Sequence, residues 1–302
     1  MFVLKYKNIF LILSALLILL SVIAMVVYGF NFGIDFKGGT ILEVSYLNGR
    51  PQQETVKAKI DTLNIGAYLL RATGDNNFNV KTKALSNAEK DLLVGALNDG
   101  GKVSIHEERF TTVGPVIGKE LRNKAYMAIS LVILGIVIFV TFAFRKVSEP
   151  VASWKYGLAT IIALVHDVII PTGVFVILGK LYGVEIDLLF VSGILAILGY
   201  SVHDTIVVFD RVRENLRINK ESRQKINFET IVGKSVSETF GRSINTSLTI
   251  FLVLIALYFL GGEATKYFSL LLLVGVIVGT YSSIFVANPL LVLFEKFQKR
   301  GS

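Results

Sequence analysis

The sequence contains no cysteine and only three histidines, His106, His166 and His203. A chain without thiols can form no disulfide, no thiolate metal site and no cysteine nucleophile. The three histidines are too few and too scattered to suggest a histidine-rich metal centre. We interpret His106, which stands beside Glu107 and Glu108, as ordinary strand polarity. We therefore expect the protein to hold neither a metal nor a cofactor.

A complete nucleotide-binding motif is also missing. Gly233, Lys234 and Ser235 reproduce the end of a phosphate-binding loop, but Phe228 occupies the position of its leading glycine. No strand precedes the segment, although such a loop requires one. We find no nucleotide site in the sequence, and we do not expect the chain to be an enzyme.

Charged residues are scarce, at 18% of the chain, whereas hydrophobic residues make up 53%. This balance excludes an ordinary soluble domain. Apolar runs that can cross the hydrocarbon core of a bilayer, which is about 30 Å thick, predict an α-helical membrane protein with six transmembrane helices. The first run is too long for the apolar part of a signal peptide, and we interpret it as a retained anchor. The predicted spans cover residues 9–29, 125–144, 157–178, 188–209, 243–260 and 268–294.

Basic residues predict the orientation of these helices. The side that holds both termini carries eight Lys and Arg residues from Arg211 to Arg242, whereas the two short loops opposite carry only Lys180 and Lys266. Because short cytoplasmic loops are enriched in Lys and Arg, both termini are predicted to be cytoplasmic. We assign the net charge of +8 to this topology and to contact with anionic lipid, not to nucleic acid.

This topology divides the chain into three parts. Residues 1–29 form the cytoplasmic N-terminus and first helix, and residues 30–124 an extracytoplasmic insert between helices 1 and 2. Residues 125–302 form a five-helix bundle with a cytoplasmic C-terminus, and segment 210–241 is predicted to be an amphipathic interfacial helix or helix pair. The insert has a βαββαβ order, which predicts an α+β domain of ferredoxin-like fold. Its strand-like runs are 39–47, 66–73, 77–85 and 102–113, and its helical patterns are 51–63 and 86–99.

Ionisable residues inside two predicted spans are the main functional candidates. His166 and Asp167 lie in the third span, and His203 and Asp204 lie in the fourth. A charged side chain at the centre of a bilayer helix costs about 2.5–3.5 kcal/mol, so such residues tend to serve a function. Each carboxyl is interpreted as a proton or ion carrier. The alternative is a structural residue that hydrogen-bonds a neighbouring helix.

Neighbouring residues suggest partners for these groups. The spacing of Tyr200, His203 and Asp204 predicts that they share one helix face. Arg242, at the start of the fifth span, could stabilise whichever carboxyl is ionised and be released on protonation. The sixth span carries small residues at four-residue spacing, which we interpret as a stripe for close helix packing. They are Gly275, Gly279 and Ser283.

Four motifs in this order resemble the SecF family, the smaller subunits of SecD–SecF protein-export complexes. They are "NFGIDFKGGT" after the first span, "VGPVIGKEL" before the second, "ALVHDVI" in the third and "GYSVHDTIVVFDRVREN" in the fourth. SecD proteins share the first type of motif but are longer, so the length of this chain favours SecF. The resemblance covers nearly the whole chain and implies membership of the resistance-nodulation-division superfamily.

The resemblance also implies partners and a mechanism. SecD would supply the other half of the bundle, and the SecYEG channel and SecA would act with it on exported polypeptides at the bacterial plasma membrane. Asp204 would be the main proton-carrying residue, with Arg242, in "RSINTS", as its basic partner and Asp167 in the same network. His203, where the resemblance leads us to expect Asn, departs from the pattern, as does Pro171. The coupling ion is left open between a proton and sodium.

The segment after the first span allows two interpretations. Gly33, Asp35, Gly38 and Gly39 lie where the chain must turn from a helix into a strand, and glycine permits conformations that other residues avoid. The motif is thus a structural hinge or a site of direct contact with the exported polypeptide. Two other functions compete with protein export: half of a proton-driven small-molecule exporter, and a membrane scaffold with no need of Asp204.

Overall fold

The computed structural model describes residues 2–145, 151–222 and 226–300. The chain divides into two compact units. The bundle unit comprises Met1–Asn31 and Met127–Ser302, and the insert unit comprises Phe32–Tyr126. The elements are α1 (Phe2–Lys5), α2 (Lys7–Tyr28), α3 (Ile34–Lys37), β1 (Gly39–Tyr46), α4 (Gln53–Asp61), β2 (Tyr68–Thr73), β3 (Asn77–Thr82), α5 (Asn87–Leu97), β4 (Ile105–Val113), α6 (Pro115–Ala143), α7 (Ser153–Tyr182), α8 (Leu188–Glu221), α9 (Phe228–Leu260), α10 (Glu263–Ser282), a π-helical turn (Ser283–Ala287) and α11 (Asn288–Arg300).

Six helical segments among the described residues are long and apolar enough to cross a membrane, which confirms the predicted number of spans. The helices are longer than the apolar runs that predicted them, because polar residues continue the same helical register beyond the hydrophobic stretch. The segments are Lys7–Tyr28, Pro115–Ala143, Ser153–Tyr182, Leu188–Glu221, Phe228–Leu260 and Thr265–Gln298.

The described part of segment 210–241 consists of the C-terminal end of α8 and the N-terminal end of α9. Val212 and Val232 are fully buried in this part of the bundle. The Asn215 side chain donates hydrogen bonds to Ser235 Oγ at 2.9 Å and to Glu238 Oε2 at 2.8 Å. The two helix ends are therefore joined by buried polar contacts as well as by apolar packing.

Glycines let α8 and α10 approach each other closely. A Cβ added at Gly275 would lie 2.2 Å from the side chain of Ile197, and one added at Gly279 would lie 3.1 Å from Ser201 Cβ. Both glycines thus pack against α8, as the small-residue stripe predicts. The stripe also predicts a packing role for Ser283, its third member. That interpretation is incomplete, because its hydroxyl donates a hydrogen bond to a carboxylate of α8.

The insert unit is a four-stranded antiparallel sheet of order β2-β3-β1-β4. Along the chain, the strands and the two longer helices follow the order β1, α4, β2, β3, α5, β4. Alternate residues of β1 and β3 point to one face, where they form a core with apolar residues of α4 and α5. Members of this core are Leu42, Val44, Tyr46, Phe78, Val80, Val56, Ile60, Leu93 and Leu97.

The "GIDFKGG" segment forms a tight turn at the start of this sheet. Gly33 precedes the short helix α3, which contains Asp35, and the chain then enters β1 through Gly38 and Gly39 with φ angles of +80° and +144°. A Cβ at Gly38 would lie 2.8 Å from Pro115 Cα, and a Cβ at Gly118 would lie 2.9 Å from the Gly38 nitrogen. Backbone therefore packs directly on backbone here, which explains why side chains are absent.

A capping box starts α5. Ser86 Oγ accepts a hydrogen bond from the Glu89 backbone N–H at 3.3 Å, and Glu89 Oε2 accepts one from the Ser86 backbone N–H at 2.8 Å. The latter bond is the main reason why the pKa of Glu89 falls from 4.5 to about 2. Lys83, whose Nζ is 2.9 Å from Glu89 Oε1, acts in the same direction.

The contact between Gly38 and Gly118 predicts a destabilising substitution. Gly118→Ala should lower the free energy of unfolding of the insert unit by about 1–3 kcal/mol, because the new methyl group overlaps backbone atoms. Gly95→Ala is the matched control, since a Cβ there meets no atom within 4 Å and the position is helical. Hydrogen exchange of the β1 amides in the full chain measures both effects. Equal protection in the two variants would contradict the packing argument.

The capping box predicts a pH dependence. Because the folded pKa of Glu89 lies below its ordinary value, its contribution to stability is present above about pH 4.5 and lost as the pH falls towards 2. Amide protection of α5 should decrease over that range, after correction for intrinsic exchange rates. The decrease should be smaller in Glu89→Gln and unchanged in Glu54→Gln, a first-turn glutamate of α4. An identical decrease in the wild type, Glu89→Gln and Glu54→Gln would contradict the contribution of Glu89 to stability.

Candidate functional site

Asp204 lies in the middle of α8 with only 7% of its surface exposed. Its Oδ1 accepts a hydrogen bond from Ser243 Oγ of α9 at 2.5 Å. Its Oδ2 accepts one from Ser283 Oγ, at the start of the π-helical turn. Hydroxyl groups from two neighbouring segments thus hold both carboxylate oxygens; we call Asp204, Ser243 and Ser283 the Asp204 cage.

Asp167 of α7 is fully buried and lies in a second polar cluster. Its Oδ2 accepts hydrogen bonds from Ser282 Oγ at 2.7 Å and from Ser201 Oγ of α8. Its Oδ1 is 2.8 Å from Nδ1 of His166, the preceding residue. The imidazole Nε2 is buried and has no hydrogen-bond partner in the described part of the chain.

Tyr281 closes this second cluster on the side of α2. Its ring stacks on the His166 imidazole, with centroids 5.9 Å apart and planes inclined by 17°. Its hydroxyl donates a hydrogen bond to the Phe10 carbonyl at 2.8 Å, and Ser14 Oγ lies 3.3 Å from the same hydroxyl. The first span is thereby tied to the residues that surround Asp167.

Two consecutive serines join the two carboxyls. Ser282 donates to Asp167 and Ser283 donates to Asp204. Neighbouring side chains of a helix point about 100° apart, so adjacent serines can reach carboxylates on two different helices. Ser283 also begins the π-helical turn, where its carbonyl accepts a hydrogen bond from Asn288 Nδ2 at 2.6 Å. Such turns occur frequently at functional sites.

The chemistry of this arrangement follows from the hydroxyl partners. A serine hydroxyl donates one hydrogen bond and accepts others, whereas an ionised carboxylate only accepts. The same serines can therefore donate to a carboxylate and, after rotation of the O–H bond, accept a hydrogen bond from a carboxylic acid. The Asp204 cage can hold either protonation state without a change of residues.

The structure does not bring all of the predicted site residues together. His203 and Arg242 have exposed side chains, and no hydrogen bond or ion pair joins either to Asp204 within the described ranges. Ser243, the residue after Arg242, contacts Asp204 instead, because a shift of one helix position rotates the side chain by about 100°. His203 is exposed although Asp204 is buried, because adjacent side chains of a helix also point about 100° apart.

Ionisable residues alone do not predict the serines of the two clusters. A hydroxyl changes hydropathy little, and many serines in helices bond only to their own backbone. One signal was present in the sequence: Ser243 and Ser247 in "RSINTS" stand four residues apart and hence on one face. Among the described residues, no group of three or more His, Asp or Glu side chains is placed to hold a metal ion.

Comparison with known proteins shows the family to which the chain is related. Residues 94–297 match the family "Protein export membrane protein SecD/SecF, C-terminal", and residues 23–46 match the "SecD/SecF GG Motif". The protein translocase subunit SecF of Thermobaculum terrenum is 40% identical over 306 residues, which cover 97% of this chain and 93% of that protein. The subunit of the same name from Anaerolinea thermophila is 36% identical over 301 residues, covering 99% and 96%.

A solved structure agrees with these relatives. The crystal structure of SecDF, a translocon-associated membrane protein from Thermus thermophilus, matches with a TM-score of 0.81 and 32% identity. The match covers 97% of this chain and 38% of that longer chain. The resemblance indicated by the four motifs is thus confirmed, and the names of the relatives favour protein export over small-molecule export. The chain belongs to the SecD/SecF family of protein-export membrane proteins.

Proposed function

We propose that this chain works as a SecF subunit at the bacterial plasma membrane. With SecD, it uses the gradient of protons or sodium ions to promote export of polypeptides through SecYEG after SecA-driven translocation. The observation that carries the coupling step is the buried Asp204 carboxyl in a cage of serine hydroxyls. In a family named for protein export, an ionisable group at this place is the natural carrier of the ion.

The coupling step depends on the different hydrogen-bonding requirements of the ionised and the protonated Asp204 side chain. An ionised carboxylate in an apolar bundle requires hydrogen-bond donors or a cation, whereas the protonated acid does not. The bundle arrangement that directs Ser243 and Ser283 at Asp204 therefore favours the ionised state. Protonation removes this preference and lets a second arrangement become populated. Because Ser282 and Ser283 are adjacent, the change reaches Asp167 on α7 as well.

SecD is proposed to cover the face of α8 and α9 that carries His203 and Arg242. Ionisable side chains within membrane helices almost always face a bundle interior or a partner, and these two are exposed in this chain. Arg242 is adjacent to Ser243 and therefore lies at the depth of Asp204. Ala196 and Gly199 are also exposed on α8, where small side chains would admit a close helix contact. A carboxylate of SecD would pair with Arg242 there.

The proposed topology has cytoplasmic termini, an extracytoplasmic insert unit and a bundle between them. The distribution of basic residues supports it, including the lysines near both termini: Lys7 and Lys296 both pair with Glu229. The sheet order and antiparallel pairing of the insert unit support a ferredoxin-like fold. The backbone contact between Gly38 and Gly118 supports the hinge interpretation of Gly33, Asp35, Gly38 and Gly39.

The substitution Asp204→Asn tests the coupling function. It keeps the shape of the side chain and removes the ionisable state, so the variant should assemble with SecD and fail to support export. Asp210→Asn is the matched control, because Asp210 lies further along α8 with an exposed side chain that pairs with Arg213. Pulse-chase measurement of secretion in cells without the native gene gives the rates. Normal export in the Asp204→Asn strain, at matched expression, would contradict the coupling function and favour the membrane scaffold.

Single cysteines test the topology, since the chain has none of its own. Asn76→Cys, in the exposed turn between β2 and β3, should react with a membrane-impermeant thiol reagent once any outer barrier is open. Glu221→Cys, at the exposed end of α8, should react only after the plasma membrane is permeabilised. The reverse pattern would invert the proposed orientation.

A further inference from the structure

Three hydroxyl groups form a second polar contact between α8, α9 and α10. Tyr200 Oη lies 2.5 Å from Ser247 Oγ and 3.1 Å from Thr280 Oγ1. Ser247 Oγ and Thr280 Oγ1 are 2.6 Å apart. Ser247 and Thr280 are buried, and the Tyr200 side chain is half-buried. We call these three residues the hydroxyl triangle.

The hydroxyl triangle lies one helix turn from the Asp204 cage on all three helices. Tyr200 precedes Asp204 by four residues, Ser247 follows Ser243 by four, and Thr280 precedes Ser283 by three. Direct contacts join the two layers. Ser247 Oγ donates to the Ser243 carbonyl at 2.7 Å, and Ser283 Oγ lies 3.0 Å from the Thr280 carbonyl. Because a helix is rigid over one turn, the separation of the helices in one layer constrains their separation in the other.

The number of hydroxyl protons in the triangle distinguishes Tyr200 from Ser247 and Thr280 as a hydrogen-bond donor. Ser247 can direct its proton to the Ser243 carbonyl, and Thr280 can direct its proton to the Val276 carbonyl at 2.7 Å. Both protons are then used within α9 and α10. In that arrangement the phenolic O–H of Tyr200 is the donor with which the triangle joins α8 to α9 and α10.

We propose that Tyr200 is a positioning residue for Asp204: its hydroxyl holds α9 and α10 at the distance from α8 at which Ser243 and Ser283 both reach the carboxylate. This inference rests on the proposed coupling function, and it adds a residue that carries no charge and binds no ion itself. Donors to an ionised carboxylate favour the ionised form. Without the phenolic hydroxyl the serines bind Asp204 less tightly, so Asp204 keeps its proton to a higher pH.

Other titratable and charged side chains near the site stay in place when only the phenolic oxygen is removed. On α7 they are Asp167 and His166, and on α10 the phenol of Tyr281, which faces His166. Arg242 on α9 and His203 on α8 are exposed. A change in the protonation of Asp204 in the variant Tyr200→Phe therefore reports on the hydroxyl triangle and not on a lost charge.

Infrared titration of the full chain, reconstituted with SecD in lipid vesicles, measures this change. The carboxyl band absent from Asp204→Asn identifies Asp204, and its intensity against pH gives the midpoint of protonation. In Tyr200→Phe the midpoint should rise by about half to one pH unit, a partial loss of hydrogen bonds to a charged group. Thr280→Val should raise it in the same direction, and Thr280→Ser, which restores a hydroxyl, should return it towards the wild-type value.

Tyr258→Phe is the matched control, because the Tyr258 hydroxyl has no hydrogen-bond partner within the described ranges and its ring packs near Leu254. Its midpoint should equal that of the wild type. An unchanged or lower midpoint in both Tyr200→Phe and Thr280→Val would overturn the positioning role of Tyr200.

The titration and the export assay separate the two proposals. The infrared midpoint depends on the surroundings of Asp204 alone and requires no export. A raised midpoint in Tyr200→Phe together with normal export in Asp204→Asn would overturn the coupling function and keep the geometric role of Tyr200. An unchanged midpoint together with lost export in Asp204→Asn would overturn only the role of Tyr200.

Discussion

Burial of carboxyl groups among apolar helices is the constraint that the bundle must satisfy. An ionised carboxyl without partners is very costly away from water, and both Asp167 and Asp204 obtain hydroxyl partners from other segments. The partners are side chains of fixed and short reach, so the helices must lie close together. Gly279 permits this approach, because any larger side chain there would crowd Ser201, which donates to Asp167.

The hydroxyl partners of Asp204 determine how strongly its ionised state is favoured over its protonated state. An Arg beside Asp204 would stabilise the ionised state strongly and oppose protonation. Serine hydroxyls donate to the ionised carboxylate and can accept from the protonated acid, so they favour the ionised state less strongly than a cation would. The outward direction of Arg242 is consistent with this balance, since the cation is available to a neighbour and does not fix Asp204 in one state.

The sequence predicts the features that depend on local patterns. The six helices follow from hydropathy alone, and the order of elements in the insert unit follows from alternation and turn residues. The contacts of the site depend on how each helix is rotated about its axis, which hydropathy does not determine. A rotation of one position decides whether Arg242 or Ser243 faces Asp204. The role of Ser283 could not be predicted from its stripe, because the glycines before it pack against the same helix.

The pairing of β1 with β4 has a consequence for the evolution of the chain. Gly39 is paired with Val113, so the residues that begin and end the sheet are neighbours. An insertion whose ends are adjacent can be exchanged for a larger or smaller one without a change in the distance that the flanking helices must accommodate. The body of the sheet can thus vary in size and surface while the glycine turn and the start of α6 are preserved. The turn thus brings together the two ends between which sheets of different size can be accommodated.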